Sequence, residues 1–348
     1  MFIVGEALVE SGYLYHISYD LFKTAISIDR LVLLVLFVFG FFSAFLMNDT
    51  VAIIGTPLVL FFAERHGVSQ KLMLLALCFA VTIGSAASPI GNPQNLLIAV
   101  NSGIENPFLT FFSYLAVPTV VNLVIAFFVL KFFFREHFHS DAIGNLRDEV
   151  KDRHLAMLAK WSVIMIFIMV GAKVAGVFLG FDFPLTYIAA IAALPVLVLS
   201  PKRLDVLKKI DWHTLVFFGA MFVVMQAVWE AGAIQSVVKG YEGDIASVEV
   251  IMAASVILSQ ALSNVPFVAL YLPVLEHAGA TTAGMMTLVA GSTIAGNLFI
   301  LGAASNIIVI QNAEKRRVTL TFYDFARVGV PLTFLNAFVY WGYLRCFF

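Results

Sequence analysis

The stretch FLMNDTVAIIGTP, residues 45–57, places the polar run Asn48-Asp49-Thr50 between two apolar arms. The arm after it, residues 51–63, would span only about 20 Å as an α-helix. A bilayer core is about 30 Å thick, so this arm is too short to cross it. Non-helical backbone at membrane depth persists only where protein or a water-filled cavity covers it. The pattern therefore predicts a re-entrant helical hairpin over residues 31–64, with a pair of short tilted helices as the alternative.

A second stretch, SQALSNVPFVALYLP at residues 259–273, has the same design. Its polar tip, Ser263-Asn264-Val265-Pro266, lies between two apolar runs and predicts a second hairpin over residues 248–277. Four residues recur between the two stretches at a constant offset of 216: Ser43, Leu46, Asn48 and Pro57 match Ser259, Leu262, Asn264 and Pro273. This recurrence indicates that the hairpins are copies of one unit.

Each hairpin is followed by a long apolar run that glycine, proline and asparagine interrupt, which predicts broken helices over residues 70–100 and 282–312. GNPQN at 91–95 parallels GAASN at 302–306, at an offset of 211. MFIVGEALVESG at 1–12 matches MFVVMQAVWEAG at 221–232 at six of twelve positions. Uninterrupted runs predict further membrane spans over 108–134, 161–180, 184–200, 213–238 and 321–347.

The matched blocks keep their order, which predicts a first repeat at 1–135, a cytoplasmic linker at 136–160 and a second repeat at 161–348. Five predicted crossings separate Asn48 from Asn264, so the copies would point in opposite directions, as an inverted-topology repeat. Residues 161–220 have no counterpart before Met1, so we expect the first repeat to lack its N-terminal helices, roughly 60 residues. The predicted fold is an all-α polytopic membrane protein.

Composition and charge agree with a membrane protein. Hydrophobic residues make up 61% of the chain and charged residues 12%, whereas soluble domains carry about 25% charged residues. A net charge of −1 argues against nucleic acid as a partner. Of the 21 Lys and Arg residues, the hairpin topology places eighteen on one side: Arg327 and seventeen in the loops around 18–30, 64–71, 131–160, 201–211 and 314–318. The positive-inside rule assigns that side to the cytoplasm and indicates a plasma or inner membrane.

The stretches at 45–57 and 259–273, together with GSAASPIGNPQNLLIA (84–99) and AGNLFILGAASNIIV (295–309), resemble the ion-transporter superfamily. It comprises arsenite permeases, NhaD-type antiporters and citrate or divalent-anion symporters, and the chain is most similar to its YbiR-like permeases. The symporters carry Ser-Asn-Thr at each tip, whereas the tips here read Met47-Asn48-Asp49 and Ser263-Asn264-Val265. The resemblance implies a homodimer driven by protons or sodium.

The hairpin tips and helix breaks are the predicted functional site. Half-helix ends offer N–H groups to an anion and carbonyls to a cation, and an asparagine amide can serve both. A carboxylate at membrane depth is costly unless it is paired, protonated or bound to a cation, which singles out Asp49. The predicted substrate-binding residues are Asn48, Asp49, Thr50, Ser263, Asn264 and Pro266. The predicted ion-binding residues are Asn48, Asp49, Gly91, Asn95, Asn264, Gly302 and Asn306.

These features predict a secondary active transporter, or permease, that moves a small inorganic or organic anion by alternating access, coupled to protons or sodium. An NhaD-type sodium/proton antiporter and an ion channel are the alternatives. An enzyme is not predicted, because the sequence has no nucleophile–base constellation, no HExxH and no nucleotide-binding loop. No cofactor is expected beyond the coupling ion, and no metal site beyond one for Na⁺.

Overall fold

A computed structural model describes residues 2–13, 27–139, 152–181, 183–210, 212–232 and 245–348, and its regular structure there is helical. The helices are α1 (Phe2–Ser11), α2 (Ile28–Leu46), α3 (Asn48–Arg65), α4 (Gln70–Ser85), α5 (Pro93–Asn101), α6 (Pro107–Phe133), α7 (Arg153–Leu179), α8 (Leu185–Leu199), α9 (Arg203–Lys209), α10 (Trp212–Glu230), α11 (Val248–Leu262), α12 (Asn264–His277), α13 (Thr282–Ile294), α14 (Ala304–Glu314) and α15 (Phe322–Phe347).

Three of the described helices are long and apolar enough to cross a membrane: α2, α6 and residues Arg153–Gly176 of α7. Helix α6 is apolar around its whole circumference. Its Phe111 and Leu115 are buried, while Phe112, Phe128 and Phe132 are exposed. A helix that is apolar on every face lies either in a core or in lipid, and exposed phenylalanines on a helix of membrane length indicate lipid.

A tight turn joins two helices at each predicted hairpin, α2 to α3 and α11 to α12, and α2 is long enough by itself to cross a membrane. A single residue connects the two helices in each: Met47 (φ 67°) between α2 and α3, and Ser263 (φ 66°) between α11 and α12. Of the residues predicted as polar tips, Ser263 forms the second turn, whereas Asn48-Asp49-Thr50 and Asn264-Val265-Pro266 form the first turns of α3 and α12. One left-handed residue suffices to reverse the chain, and a proline fits the first turn of a helix because the N–H it lacks has no helical partner there.

Both predicted broken helices are also present. The first is interrupted between Ser85 and Pro93. The second continues after Ile294 as two short 3₁₀ turns, Ala295–Asn297 and Ile300–Gly302. Gly84 is required at the first break, because a Cβ there would lie 2.2 Å from the carbonyl oxygen of Gly40.

The hairpins pack reciprocally against the broken helices. Helix α3 of the first hairpin packs on α14, beyond the second break, and α12 of the second hairpin packs on α5, beyond the first break. Helix α4 contacts α14 in the same way that α13 contacts α5. The final helices of the two halves, α6 and α15, pack on each other. Each hairpin thereby lies beside the broken helix of the other half.

Ion pairs join helix ends that are distant in sequence: Lys71 with Asp324 (2.7 Å), Lys202 with Asp152 (2.6 Å), Lys209 with Glu10 (2.5 Å), Lys131 with Asp29, and Arg345 with Glu249. Each pair fixes which loops share one end of the molecule. The segments that contain Lys71, Lys131, Lys202 and Lys209 therefore lie beside residues 324, 29, 152 and 10, respectively. The start of α11 lies beside the end of α15.

Two predicted boundaries differ from the structure. Helix α7 begins at Arg153, so the predicted linker at 136–160 includes its first turns. The reason is a cap: the Asp152 side chain accepts a hydrogen bond from the Leu155 N–H at 3.0 Å. Helix α10 ends at Glu230, short of the predicted 238, and residues 233–238 lie outside the described part of the chain.

Candidate functional site

The second hairpin and the second break meet at Gly296. The side-chain nitrogen of Asn264, in the first turn of α12, lies 3.6 Å from the position that a Cβ on Gly296 would occupy, and Thr82 of α4 lies 3.3 Å from it. The Asn306 amide donates to the Gly296 carbonyl at 2.6 Å. Gly302 also approaches closely, since a Cβ on it would lie 3.2 Å from the Gly296 Cα. Three of the predicted ion-binding residues, Asn264, Gly302 and Asn306, are thus brought together.

Several buried side-chain oxygens at this second site have no hydrogen-bond partner among the described residues: Thr82 Oγ1, Asn264 Oδ1, Ser305 Oγ and Asn306 Oδ1. A buried polar group without a partner is costly and needs an explanation, such as a bound ion or water. Amide, hydroxyl and carbonyl oxygens are the ligands that hard cations prefer. The set therefore has the donor chemistry for a cation such as Na⁺.

The first site contains similar residues, but several of their polar groups are already hydrogen-bonded within the protein. The Asn48 N–H donates to the Gly91 carbonyl at 2.9 Å, and its side-chain oxygen accepts from the Asp49 N–H at 3.0 Å. The Asn95 side chain donates to the carbonyls of Ser85 (2.9 Å) and Ser88 (3.0 Å) and accepts from Thr293 at 3.2 Å. Predicted residues Asn48, Gly91 and Asn95 are brought together, yet the Asn95 amide and the Asn48 side-chain oxygen are already paired within the protein.

A threonine from the opposite half reaches each site. Thr293 of α13 contacts Asn95 and also accepts from the Asn92 side chain at 3.2 Å. Thr82 of α4 reaches Gly296 of the second break. The two threonines are 211 residues apart, the same offset that relates Asn95 to Asn306. Neither threonine is among the residues predicted from the sequence, although this offset was a signal for both.

The remaining predicted residues have different surroundings. Asp49 and Thr50 are buried in the first turn of α3, where the positive end of the helix dipole favours a carboxylate. Thr50 packs against Gly5 of α1, where a Cβ would lie 2.6 Å from its hydroxyl. Ser263 is exposed and forms the turn, and Pro266 is half-buried.

Comparison with known proteins identifies the family of this chain. The profile of the citrate transporter family matches residues 1–285, most of the chain. The chain belongs to the citrate transporter family. It is therefore a multi-pass membrane transporter and not an enzyme, as its sequence predicts.

Relatives of this citrate transporter family member come from bacteria, plants and animals. It is 26% identical to the 46 kDa membrane protein of Mycobacterium leprae, over 88% of this chain and 75% of that protein. It is 27% identical to the silicon efflux transporter LSI3 of Oryza sativa subsp. japonica, over 95% of this chain and 82% of the relative. It is 21% identical to the human P protein, over 99% of this chain and 52% of the relative.

Proposed function

We propose that this chain is a secondary active transporter that moves a small inorganic or organic anion by alternating access, coupled to sodium or protons. The observation that carries the proposal is the pair of hairpins that turn at equivalent residues, Met47 and Ser263, beside two broken helices. Broken helices and hairpins that meet within the membrane present dipole ends and free backbone groups to ions, which suits transport rather than structural support.

The reciprocal packing supports an inverted-topology repeat. The contact of α3 of the first hairpin with α14 has a counterpart in the contact of α12 of the second hairpin with α5. The turns occupy matched positions, at the offset of 216 that the sequence also shows. Two such copies in opposite orientation place a binding site between them and give a transporter two related conformations.

The anion would lie at the N-termini of α3 and α12. Both helices begin with an asparagine, Asn48 and Asn264, and both are long enough to present a positive dipole end to an anion. Thr50, Ser263 and Pro266 lie on the same first turns or at the turn itself, and complete the proposed substrate set. Hydrogen bonds lead from Asn48 to Gly91, and from the neighbouring Asn92 to Thr293 on α13, three residues before Gly296.

The coupling cation would bind at the second site. Thr82, Asn264 and Asn306, which lie near Gly296, each have a buried side-chain oxygen without a partner among the described residues, whereas the Asn95 amide of the first site is satisfied by Ser85, Ser88 and Thr293. We therefore assign the cation to the side chains of Asn264 and Asn306, with Gly302 allowing the close approach of the backbone. In the first site, Asn48, Gly91 and Asn95 would serve the substrate and hold the hairpin.

Asp49 favours a second candidate function, sodium/proton antiport. It is a buried carboxylate at a hairpin tip, and such a group can exchange a proton for a cation during transport. Asp49→Asn removes the charge but keeps the size, so it should abolish proton-coupled flux and leave folding intact. Size-exclusion profile and unfolding midpoint are the folding controls. Full proton-coupled flux in this variant would exclude Asp49 as the proton carrier.

We place the protein in the plasma or inner membrane, with loops 64–71, 131–160, 201–211 and 314–318 in the cytoplasm. The ion pairs support this topology. Lys71 with Asp324, Lys131 with Asp29, and Lys202 with Asp152 each join segments at the predicted cytoplasmic ends. Glu249 and Arg345 pair at the opposite end. A homodimer, implied by the family resemblance, completes the proposal.

The deciding experiment is flux in proteoliposomes with the purified chain. Vesicles would carry imposed Na⁺ or pH gradients, and the external solution would contain citrate, arsenite or silicate, the last because a rice relative is named for silicon efflux. We expect uptake of one of these that depends on the gradient and disappears in Asn264→Ala. Na⁺/H⁺ exchange without uptake of any of them would favour the antiporter. Flux that runs down its gradient without counter-flux would identify a channel and overturn the proposal.

A further inference from the structure

A buried chain of side-chain amides joins α6, α15 and the break after α13. The Asn336 amide donates to the Asn122 side-chain oxygen at 3.0 Å, and the Asn297 amide donates to the Asn336 side-chain oxygen at 3.4 Å. The Asn122 amide returns a hydrogen bond to the Asn336 carbonyl at 3.4 Å. All three asparagines are fully buried. None of them belongs to the proposed substrate or cation set.

The two asparagines that meet between α6 and α15 occupy equivalent positions. Thr119-Val-Val-Asn122 in α6 matches Thr333-Phe-Leu-Asn336 in α15, at an offset of 214. The reciprocal bonds between Asn122 and Asn336 therefore lie where the two halves of the proposed repeat meet. A second polar contact, between the hydroxyls of Thr119 and Tyr340 at 2.7 Å, crosses the same interface but does not reach the break.

Asn297 is held on two sides. Its side chain donates to Asn336, and its backbone carbonyl packs against α15 at Gly329, where a Cβ would lie only 2.2 Å from the oxygen. The next residue towards the N-terminus is Gly296, whose carbonyl accepts from Asn306 and whose Cα faces Asn264 and Thr82. A shift of Asn297 would therefore move the peptide around which the unpartnered oxygens cluster.

We propose that Asn122, Asn336 and Asn297 are positioning residues, which hold the break after α13 in register and thereby set the geometry of the second site. This inference rests on the proposed function, in which the second site binds the coupling cation. The physical reason is that an amide in an apolar interior loses much when its partner is removed, so each member of the chain constrains the next. The three asparagines therefore act on the bound cation indirectly, through the position of Gly296.

The test compares Asn336→Leu with the control Thr119→Val. Both variants break a polar contact between α6 and α15, but only Asn336→Leu releases Asn297. Hydrogen exchange read by mass spectrometry should be faster at residues 295–303 in Asn336→Leu and unchanged in Thr119→Val. The NaCl concentration for half-maximal thermal stabilisation, measured against choline chloride, should rise about tenfold in Asn336→Leu alone, the change expected when a charge-binding contact is weakened.

The double variant Asn122→Leu/Asn336→Leu separates positioning from stability. Replacing both partners of a buried pair by apolar groups restores much of the lost stability, so its unfolding midpoint should recover. Its exchange at 295–303 and its NaCl dependence should stay altered, since Asn297 still lacks its partner. The proposal would be overturned if the double variant recovered both the parent's exchange rate at 295–303 and its NaCl dependence. Unchanged exchange in Asn336→Leu would also overturn it. If the parent chain shows no response to NaCl, the sodium assignment fails, and the exchange comparison alone decides the positioning role.

Discussion

Thr82 and Thr293 are equivalent residues of the two halves, but their hydroxyls have different surroundings. The Thr293 hydroxyl is hydrogen-bonded to Asn92 and Asn95, whereas that of Thr82 is buried near Gly296 with no partner among the described residues. Thr82→Val keeps the shape and removes one proposed cation ligand. We expect it to weaken the apparent affinity for Na⁺ about tenfold, because a contact to a charged group contributes about 1.5–3 kcal/mol.

The matched variant is Thr293→Val. It removes hydrogen bonds within the first site, so it should lower the free energy of unfolding by about 1 kcal/mol and leave Na⁺ affinity unchanged. Sodium-dependent uptake or thermal stabilisation, measured over a NaCl titration in both variants, gives the comparison. Equal affinities in Thr82→Val and Thr293→Val would contradict the placement of the cation at the second site.

At the scale of an element, each hairpin depends on one residue with left-handed backbone. Ser263 is the cleaner position to test, because its side chain is exposed while that of Met47 is buried. Non-glycine residues in sparsely populated backbone regions cost about 1–3 kcal/mol. Ser263→Gly should therefore raise the unfolding midpoint in detergent, and Ser263→Val should lower it, because β-branched side chains are the least tolerant of positive φ.

Leu262→Val is the control for the hairpin prediction. It introduces the same β-branched side chain one position earlier, at the exposed end of α11, where the backbone is helical. We expect its midpoint to stay close to that of the parent, since exposed substitutions away from special features change stability by about 0.5 kcal/mol or less. A Ser263→Val variant as stable as Leu262→Val would show that the turn does not have the described backbone.

The start of α7 makes a separate prediction. The Leu155 N–H and the Lys202 ammonium hold the pKa of Asp152 below its ordinary value of 3.8. The carboxylate therefore contributes stability above about pH 4, which is lost as the pH falls through the lower value in the folded state. Asp152→Ala should cost about 1 kcal/mol at neutral pH, and Asp152→Asn much less, because asparagine also caps helices. Unfolding midpoints between pH 3 and 7, a range of about 4 units, would test both the cap and the sign of the pH dependence.

At the scale of the whole molecule, the sequence predicted the order of hairpins and breaks because arm length, polar tips and recurring residues are local or periodic signals. It included Ser263 in the second predicted tip but missed Met47, because the backbone angle of Met47 is set by how α2 and α3 pack and not by residue type. It did not find Thr82 or the amide of Asn336, because their importance depends on contacts between halves more than 200 residues apart. The sequence also did not indicate that the Asn95 amide is hydrogen-bonded to Ser85, Ser88 and Thr293.

The predicted orientation of the whole chain can be tested with its own cysteines. Cys346 is exposed near the end of α15, beside the Arg345–Glu249 pair, and Cys78 is buried in α4. A membrane-impermeant maleimide should label Cys346 in intact cells and leave Cys78 unmodified, because modification requires access to the thiol. The counterpart is Cys346→Ser with Lys208→Cys, which places the thiol in the predicted cytoplasmic loop 201–211 and should react only after permeabilisation. Labelling of both positions from the same side would contradict the topology. Labelling of Lys208→Cys in intact cells, with Cys346 labelled only after permeabilisation, would show the orientation opposite to the one that the positive-inside rule assigns.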